Sequence, residues 1–295
     1  MSAVPDCLSG AATERSLRPA FDRLAEVLMR AARGRKVVFL QNPGNFGDAL
    51  IRHGTLRFFE DIGLEVTELD MGRRDAKLVA VARAALERGA RPLFLYAGGG
   101  AWCRAGDHGG RNVRRLEWLT SEIIVLPTTF EHFGLRRPLT VFRRDEFESR
   151  AAAPQSLFCH DMALYLALVE PDRLLSGRTP PDRRFGMMFR TDVERRVEGY
   201  SSCRDNVDLS AQGDHLSDPS RFLREIDRYE TIFTDRLHVA IGAALLGKSV
   251  RLVTGSYFKI AAIYRSSLAG VFDNVRLIGD DAELAELLAD QVREK

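Results

Sequence analysis

No apolar run in this sequence approaches the roughly 20 residues that a membrane-crossing helix needs, so no transmembrane segment is expected. An excess of charge of one sign is also lacking. The 43 Lys and Arg nearly balance the 41 Asp and Glu, and a net charge of +2 gives no global field that argues for a nucleic-acid partner. Cysteine is scarce. Cys7, Cys103, Cys159 and Cys203 lie far apart without metal-ligand spacing, which predicts reduced thiols in a cytosolic protein. Asp6, Glu14 and Asp22 interrupt any apolar core near the N-terminus, so a signal peptide is not expected. Gly-x-Ser-x-Gly, His-Glu-x-x-His and Cys-x-x-Cys are missing, which weakens serine hydrolase, zinc protease and redox readings. The dinucleotide-binding GxGxxG spacing and the Walker A loop are missing too.

What is present is an ordinary globular composition, 45% hydrophobic and 28% charged. A length of 295 residues suits one large or two medium α/β domains. Residues 15–36 carry an amphipathic helical pattern with Leu17, Phe21, Leu24 and Leu28 on one side. Its basic face is either solvated, on a packed helix, or a contact to an anionic membrane surface. Strands are expected at 36–40, 64–69, 92–97, 122–127 and 140–144, with helices at 49–62, 76–88, 111–119 and 145–152 between them. Leu157–Leu168 is ambiguous. Ser176–Arg184, with two prolines and no apolar residue, reads as a linker. A second alternation follows, with strands at 185–190, 231–234, 249–254 and 275–278 and helices at 218–228, 239–246, 257–268 and 282–294. This is the signature of parallel sheets with helices on both faces. The economical reading is an α/β chain of two Rossmann-like domains, residues 15–175 and 185–295, with an interdomain cleft.

In such sheets ligands sit beyond the carboxyl ends of the strands, and four loops meet that condition. In the first, Asn42–Asp48, glycines and asparagines permit tight backbone geometry. Asn45 and Gly47 lie in this loop, and Asp48 is either the N-cap of the next helix or an acceptor for a sugar hydroxyl. The second, Gly98, Gly99 and Gly100, is either a flexible turn or a place where a ligand nears the backbone. Trp102 beyond it either stacks on a sugar ring or is buried. The third is the turn after 231–234. Asp235 is a helix N-cap candidate, and Arg236 and His238 fall in the first helical turn, where exposed N–H groups and the helix dipole attract anions. In the fourth, Ser256 can cap a helix whose first turn holds Tyr257 and Lys259; a lysine there opposes the dipole and hints at a bound anion. Arg190 ends a strand of the second half, and Arg144 ends one of the first. His160 and Asp161 are a weaker acid/base pair, because adjacent residues on a helix diverge.

These motifs, in order, resemble the polysaccharide pyruvyl transferases: Asn45-Phe-Gly-Asp48 after the first strand, Gly98–Gly100, a strand ending in Pro127, Arg144-Asp145 with Ser149 beyond, Arg236-Leu-His238, then Tyr257-Phe-Lys259. The resemblance covers roughly residues 36–270 and implies a GT-B-like fold, with an acceptor-side N-terminal domain and a donor-side C-terminal one. It implies transfer of an enolpyruvyl-derived unit from phosphoenolpyruvate to two hydroxyls of a sugar, giving a pyruvate ketal in exopolysaccharide or cell-surface polysaccharide synthesis. His238 would be the general acid/base, and Arg236, Lys259 and Arg190 would clamp the donor's anionic groups. Asp48 and the glycine loops would hold the saccharide. Phosphoenolpyruvate enters as co-substrate, with no cofactor or metal signalled. The acceptor, lipid-linked or soluble, and the oligomeric state stay open, as does a peripheral contact with the inner face of the membrane. The rival readings are a nucleotide-sugar glycosyltransferase on the same plan and a non-catalytic saccharide- or anion-binding protein of an assembly complex.

Overall fold

The computed structural model describes residues 10–71, 92–103, 108–117, 122–134, 139–169, 177–195 and 204–293, together with residues 174, 200 and 202. Its compact units interleave along the chain. Unit 1 comprises Met1–Ser16, Asn45–Leu50 and Leu166–Lys295; unit 2 comprises Leu17–Gly44 and Ile51–Tyr165. The expected helix at 76–88, Cys7 and Cys203 lie outside the described residues. Among the described residues, Cys103 and Cys159 are buried and neither is in a disulfide.

Unit 2 is built on a parallel sheet in the order β2-β1-β3-β5-β6-β7, with β4 paired to β5. The strands are β1 (Val37–Gln41), β2 (Thr67–Asp70), β3 (Leu93–Tyr96), β4 (Gly99–Trp102), β5 (Ile123–Phe130), β6 (Thr140–Arg143) and β7 (Leu157–Phe158). β1, β3 and β5 are buried along their whole length. That explains the apolar runs at 37–40, 93–96 and 123–126: a parallel sheet covered on both faces needs no alternation. The helices are α1 (Gly10–Ala32) and α2 (Phe46–Asp61), whose first residues belong to unit 1, α3 (His108–Leu116) and α4 (Glu148–Ala152). Leu17, Phe21, Leu24 and Leu28 of α1 are buried, while Arg15, Arg23 and Arg30 are exposed. The helix is packed on its apolar stripe, with a solvated basic face. The ambiguous stretch 157–168 divides into β7, a 3-10 turn Met162–Tyr165 and the start of α5 (Leu166–Val169).

Unit 1 holds the second sheet, parallel throughout, in the order β11-β10-β9-β8. Its strands are β8 (Arg183–Met187), β9 (Tyr229–Thr234), β10 (Ser249–Val253) and β11 (Val275–Ile278). Its helices are α6 (Pro219–Asp227), α7 (Leu237–Leu245), α8 (Lys259–Ile263), continued by a π turn Tyr264–Leu268, and α9 (Asp281–Arg293). Phe189, Phe233, Val253, Ile278, Leu284 and Leu288 form a core cluster. α6 starts where the chemistry requires: Asp218 accepts the Ser220 N–H at 2.9 Å, and Pro219 follows the cap. The expected linker is partly anchored, since Arg178 pairs with Asp227 at 2.8 Å and Arg183 already belongs to β8. Both sheets are Rossmann-like in character. Among the described residues no helix is long and apolar enough to cross a membrane.

Candidate functional site

Beyond β8 the chain stays beside β9. Met188 N–H donates to the Phe233 carbonyl at 2.8 Å, and Thr234 Oγ1 donates to the Met188 carbonyl at 2.6 Å. Arg190 N–H then donates to Asp235 Oδ1 at 2.8 Å. Asn206 fastens the same stretch from the other side, accepting from Phe189 N–H at 2.8 Å and donating to the Phe189 carbonyl at 3.0 Å. These bonds bring Arg190, Asp208 and Arg236 together at the carboxyl end of the sheet.

Asp235 is therefore not the helix N-cap that the sequence suggests. Arg236 occupies that position and α7 begins at Leu237, so His238 lies in its first turn. Asp235 is buried as a fastener between strand ends. Burial pushes its carboxyl up to about 6, against the Arg190 N–H and the Arg190 and Arg236 guanidiniums, which favour the charged form.

The arginines and Lys259 expected to clamp an anion are all engaged by acids. Arg236 makes a two-pronged pair with Asp208, Nε to Oδ1 at 3.0 Å and Nη2 to Oδ2 at 2.6 Å. Its Nη1 lies 2.7 Å from Asp192 Oδ2. Burial would lower the Arg236 pKa, but Asp208 and Asp192 outweigh it and the pKa is raised. Arg190 pairs closely with Glu194, and its Nε lies 3.1 Å from Asp192 Oδ1. Lys259 Nζ is 2.9 Å from Glu194 Oε2. Burial alone would raise the Glu194 carboxyl; Lys259 and Arg190 hold it down at about 2. In this structure the anion beside Lys259 is an acid of the same chain.

Ser256, expected to cap α8, does not do so: the N-cap is Phe258, and Ser256 is exposed. Tyr257 lies under Lys259, whose Nζ is 4.9 Å from the ring centroid.

The loop at Asn45–Asp48 belongs to the same unit. Asp48 is not the N-cap of α2 either. The helix starts at Phe46, the Asn45 side chain accepts the Gly47 N–H at 2.9 Å, and Asp48 Oδ2 accepts the Asn45 N–H at 2.8 Å. This is a reciprocal capping box with Asn45 as the cap. Asn45 also bridges Asp214, and the Phe46 ring packs on Phe222 with centroids 5.2 Å apart. Gly47 faces His238: a Cβ here would lie 2.8 Å from both Cβ and Nδ1 of the histidine.

Gly98, Gly99, Gly100 and Arg144 lie in unit 2. The glycines are not an open turn. Gly98 presses on β5, where a Cβ would sit 2.2 Å from the Pro127 carbonyl oxygen, and Gly99 opens β4 with φ +113°. They flank the switch point of the unit 2 sheet, where β1 has β2 on one side and β3 on the other. There Tyr96 Oη donates to Asn42 Oδ1 at 3.0 Å and accepts from Asn112 Nδ2 at 3.2 Å. Trp102 is buried edge-on against Tyr96. Arg144, expected at a substrate surface, is in the interior, donating to Thr129 Oγ1 at 2.8 Å and pairing with Asp161 at 2.6 Å. His160 packs edge-on against Phe158, with centroids 4.9 Å apart.

Sequence reasoning missed Asp192, Glu194 and Asp208. The available signal was charge balance: three cations predicted at one pole of a sheet need counter-charges, and Thr-Asp-Val-Glu directly follows Arg190.

The fold has solved counterparts. An uncharacterised protein of Klebsiella pneumoniae superposes with a TM-score of 0.71 at 23% identity, covering 88% of this chain and 99% of that one. No curated protein matches the sequence. The family model described as polysaccharide pyruvyl transferase matches residues 45–257, a span that opens on the Asn45 cap and runs through His238. This chain belongs to the polysaccharide pyruvyl transferase family.

Proposed function

We propose that the protein transfers the enolpyruvyl unit of phosphoenolpyruvate to two hydroxyls of a saccharide, forming a pyruvate ketal and releasing phosphate, in the synthesis of an exopolysaccharide or cell-surface polysaccharide. The observation that carries this reading is the grouping of Arg190, Arg236 and Lys259 at one sheet pole, with His238 in the first turn of the adjoining helix. Phosphoenolpyruvate carries a phosphate and a carboxylate, and a small donor of that kind needs several fixed cations.

In the proposed reaction C3 of the donor takes a proton, and the positive charge that develops at C2 is met by a saccharide hydroxyl, which loses its proton. The C2–O bond to phosphate breaks, and a second hydroxyl closes the ketal on C2, losing its proton in turn. His238 moves a proton in this scheme, and its imidazole lies against Gly47, where a Cβ would crowd it. The cations hold the donor and stabilise the departing phosphate. The acceptor is assigned to the switch point of unit 2, with Gly98–Gly100. The GT-B-like plan and a cytoplasmic reaction, at the membrane face if the acceptor is lipid-linked, belong to the same proposal.

The test is phosphate release from phosphoenolpyruvate by the purified protein across a panel of saccharides. Release only with a suitable acceptor, together with a ketal product, is expected. Turnover of a nucleotide sugar instead, with no phosphate release for any acceptor, overturns the assignment.

A further inference from the structure

The acids around the cations are not equivalent. Asp208 is scaffold: it is buried, grips Arg236 with both oxygens, and also accepts the Thr191 N–H at 2.8 Å. Asp192 and Glu194 come from a short turn directly after Arg190, closed by Glu194 N–H donating to Asp192 Oδ1 at 3.0 Å. Each bridges two cations. Asp192 spans Arg190 and Arg236; Glu194 spans Arg190 and Lys259. The Asp192 side chain is 42% exposed while the two arginines beneath it are 7% and 6% exposed. The fit is incomplete as well. Arg190 Nε, although 3.1 Å from Asp192 Oδ1, is off line for a hydrogen bond and is buried with no acceptor. A buried guanidinium N–H without an acceptor is costly and favours a better-placed oxygen.

We propose that Asp192 and Glu194 are internal stand-ins for the two anionic groups of the donor, displaced together when it binds, and so set both its affinity and its class. The inference rests on the donor reading above. Two carboxylates on one turn, each spanning a pair of cations, are matched by a ligand with two anionic groups; a ligand with one replaces only half of them. Asp192, already half in water, keeps part of its hydration while paired and so leaves at a smaller cost than a buried acid. Glu194 is held harder, between Lys259 and Arg190, so it dominates the competition. A purely structural role for the turn predicts the opposite sign: loss of either acid would misplace the cations and weaken binding.

Calorimetric titration of the full-length protein with phosphoenolpyruvate, and separately with inorganic phosphate, distinguishes these. Wild type, Glu194→Gln and Asp192→Asn are compared, each checked for folding by circular dichroism. Glu194→Gln is expected to bind phosphoenolpyruvate about tenfold more tightly, and Asp192→Asn a few-fold more tightly. The wild-type preference for phosphoenolpyruvate over phosphate should shrink in both. Unchanged or weaker binding by the folded variants overturns the inference while leaving the donor assignment intact. Tighter phosphate binding by the variants, with no affinity of any of the three proteins for phosphoenolpyruvate, sinks the donor assignment and keeps the stand-in role. Absence of binding of either anion to all three proteins overturns both. Asp192→Asn, at a half-exposed position, carries the test if Glu194→Gln does not fold.

Discussion

Gly47 and His238 are in direct contact: a methyl group on the glycine would come 2.8 Å from the histidine Cβ and from its Nδ1. The glycine is there for space, since the imidazole lies where a side chain would otherwise project. Gly47→Ala should therefore displace His238 by a fraction of an ångström to about 1 Å, and misplacement on that scale lowers turnover on the order of 10²-fold. Stability should change by only about 1–3 kcal/mol, the usual cost of overpacking. Steady-state kinetics beside a thermal melt check this; wild-type turnover would show that His238 tolerates the shift.

His238→Ala should lower transfer by about 10²–10⁴-fold, the usual contribution of a general acid or base. The side chain is only partly buried, so the melt should stay close to wild type. Full activity in that variant removes the histidine from the mechanism.

Much of the architecture is legible in the sequence. The apolar runs at 92–97 and 249–254 are strands within a residue or two, and 275–278 matches β11 to the residue. α2 starts three residues before the expected Ala49 because its N-terminal signal is a capping box formed by Asn45 and Asp48, and spacing gives that pair little weight behind Pro43-Gly44. The contact of Gly47 with His238 spans most of the chain, and no local periodicity encodes it. The acids were hidden for another reason. A charged residue in a loop reads as solvated, and only the geometry of the loop shows that Asp192 and Glu194 fold back onto buried cations.

Asp235 predicts a particular pH response. Its carboxyl is raised from an ordinary 3.8 to about 6 by burial. The native state thus holds the proton more tightly than the unfolded chain. This contribution to stability is full below 3.8, declines as pH rises, and is lost above about 6, a change on the order of 3 kcal/mol at most. Asp235→Asn keeps an acceptor for the Arg190 N–H and removes the titration. Urea unfolding at pH 4 and pH 7.5 should show the variant gaining on wild type as pH rises. A pH-independent difference between the two proteins would contradict this account of Asp235.

Glu194 has the opposite sign. Its carboxyl is lowered from an ordinary 4.5 to about 2, because Lys259 and Arg190 outweigh burial. Its contribution is present above 4.5 and is lost as pH falls through about 2, with an upper bound on the order of 3 kcal/mol. Wild type should exceed Glu194→Gln in stability at pH 6 and converge with it in acid. If that variant also binds the donor more tightly, the residue trades affinity for stability.

Arg144 and Asp161 form a pair whose side chains are each 1% exposed. Asp161→Ala leaves a guanidinium buried without its counter-charge and should cost about 3–5 kcal/mol, read as a lower denaturant midpoint. A loss below about 1 kcal/mol would return Arg144 to the candidate substrate-binding residues.

The membership of Asn45–Leu50 in unit 1 has a consequence in time. Phe46 and Gly47 leave the ribosome roughly 180 residues ahead of Phe222 and His238, a delay on the order of 10–40 s at ordinary elongation rates. Phe46, which is 4% exposed in the native fold, lacks its Phe222 partner for that interval. The aromatic pair that fastens this helix start therefore closes only after β8 has been made, with β9, β10 and β11 still to come.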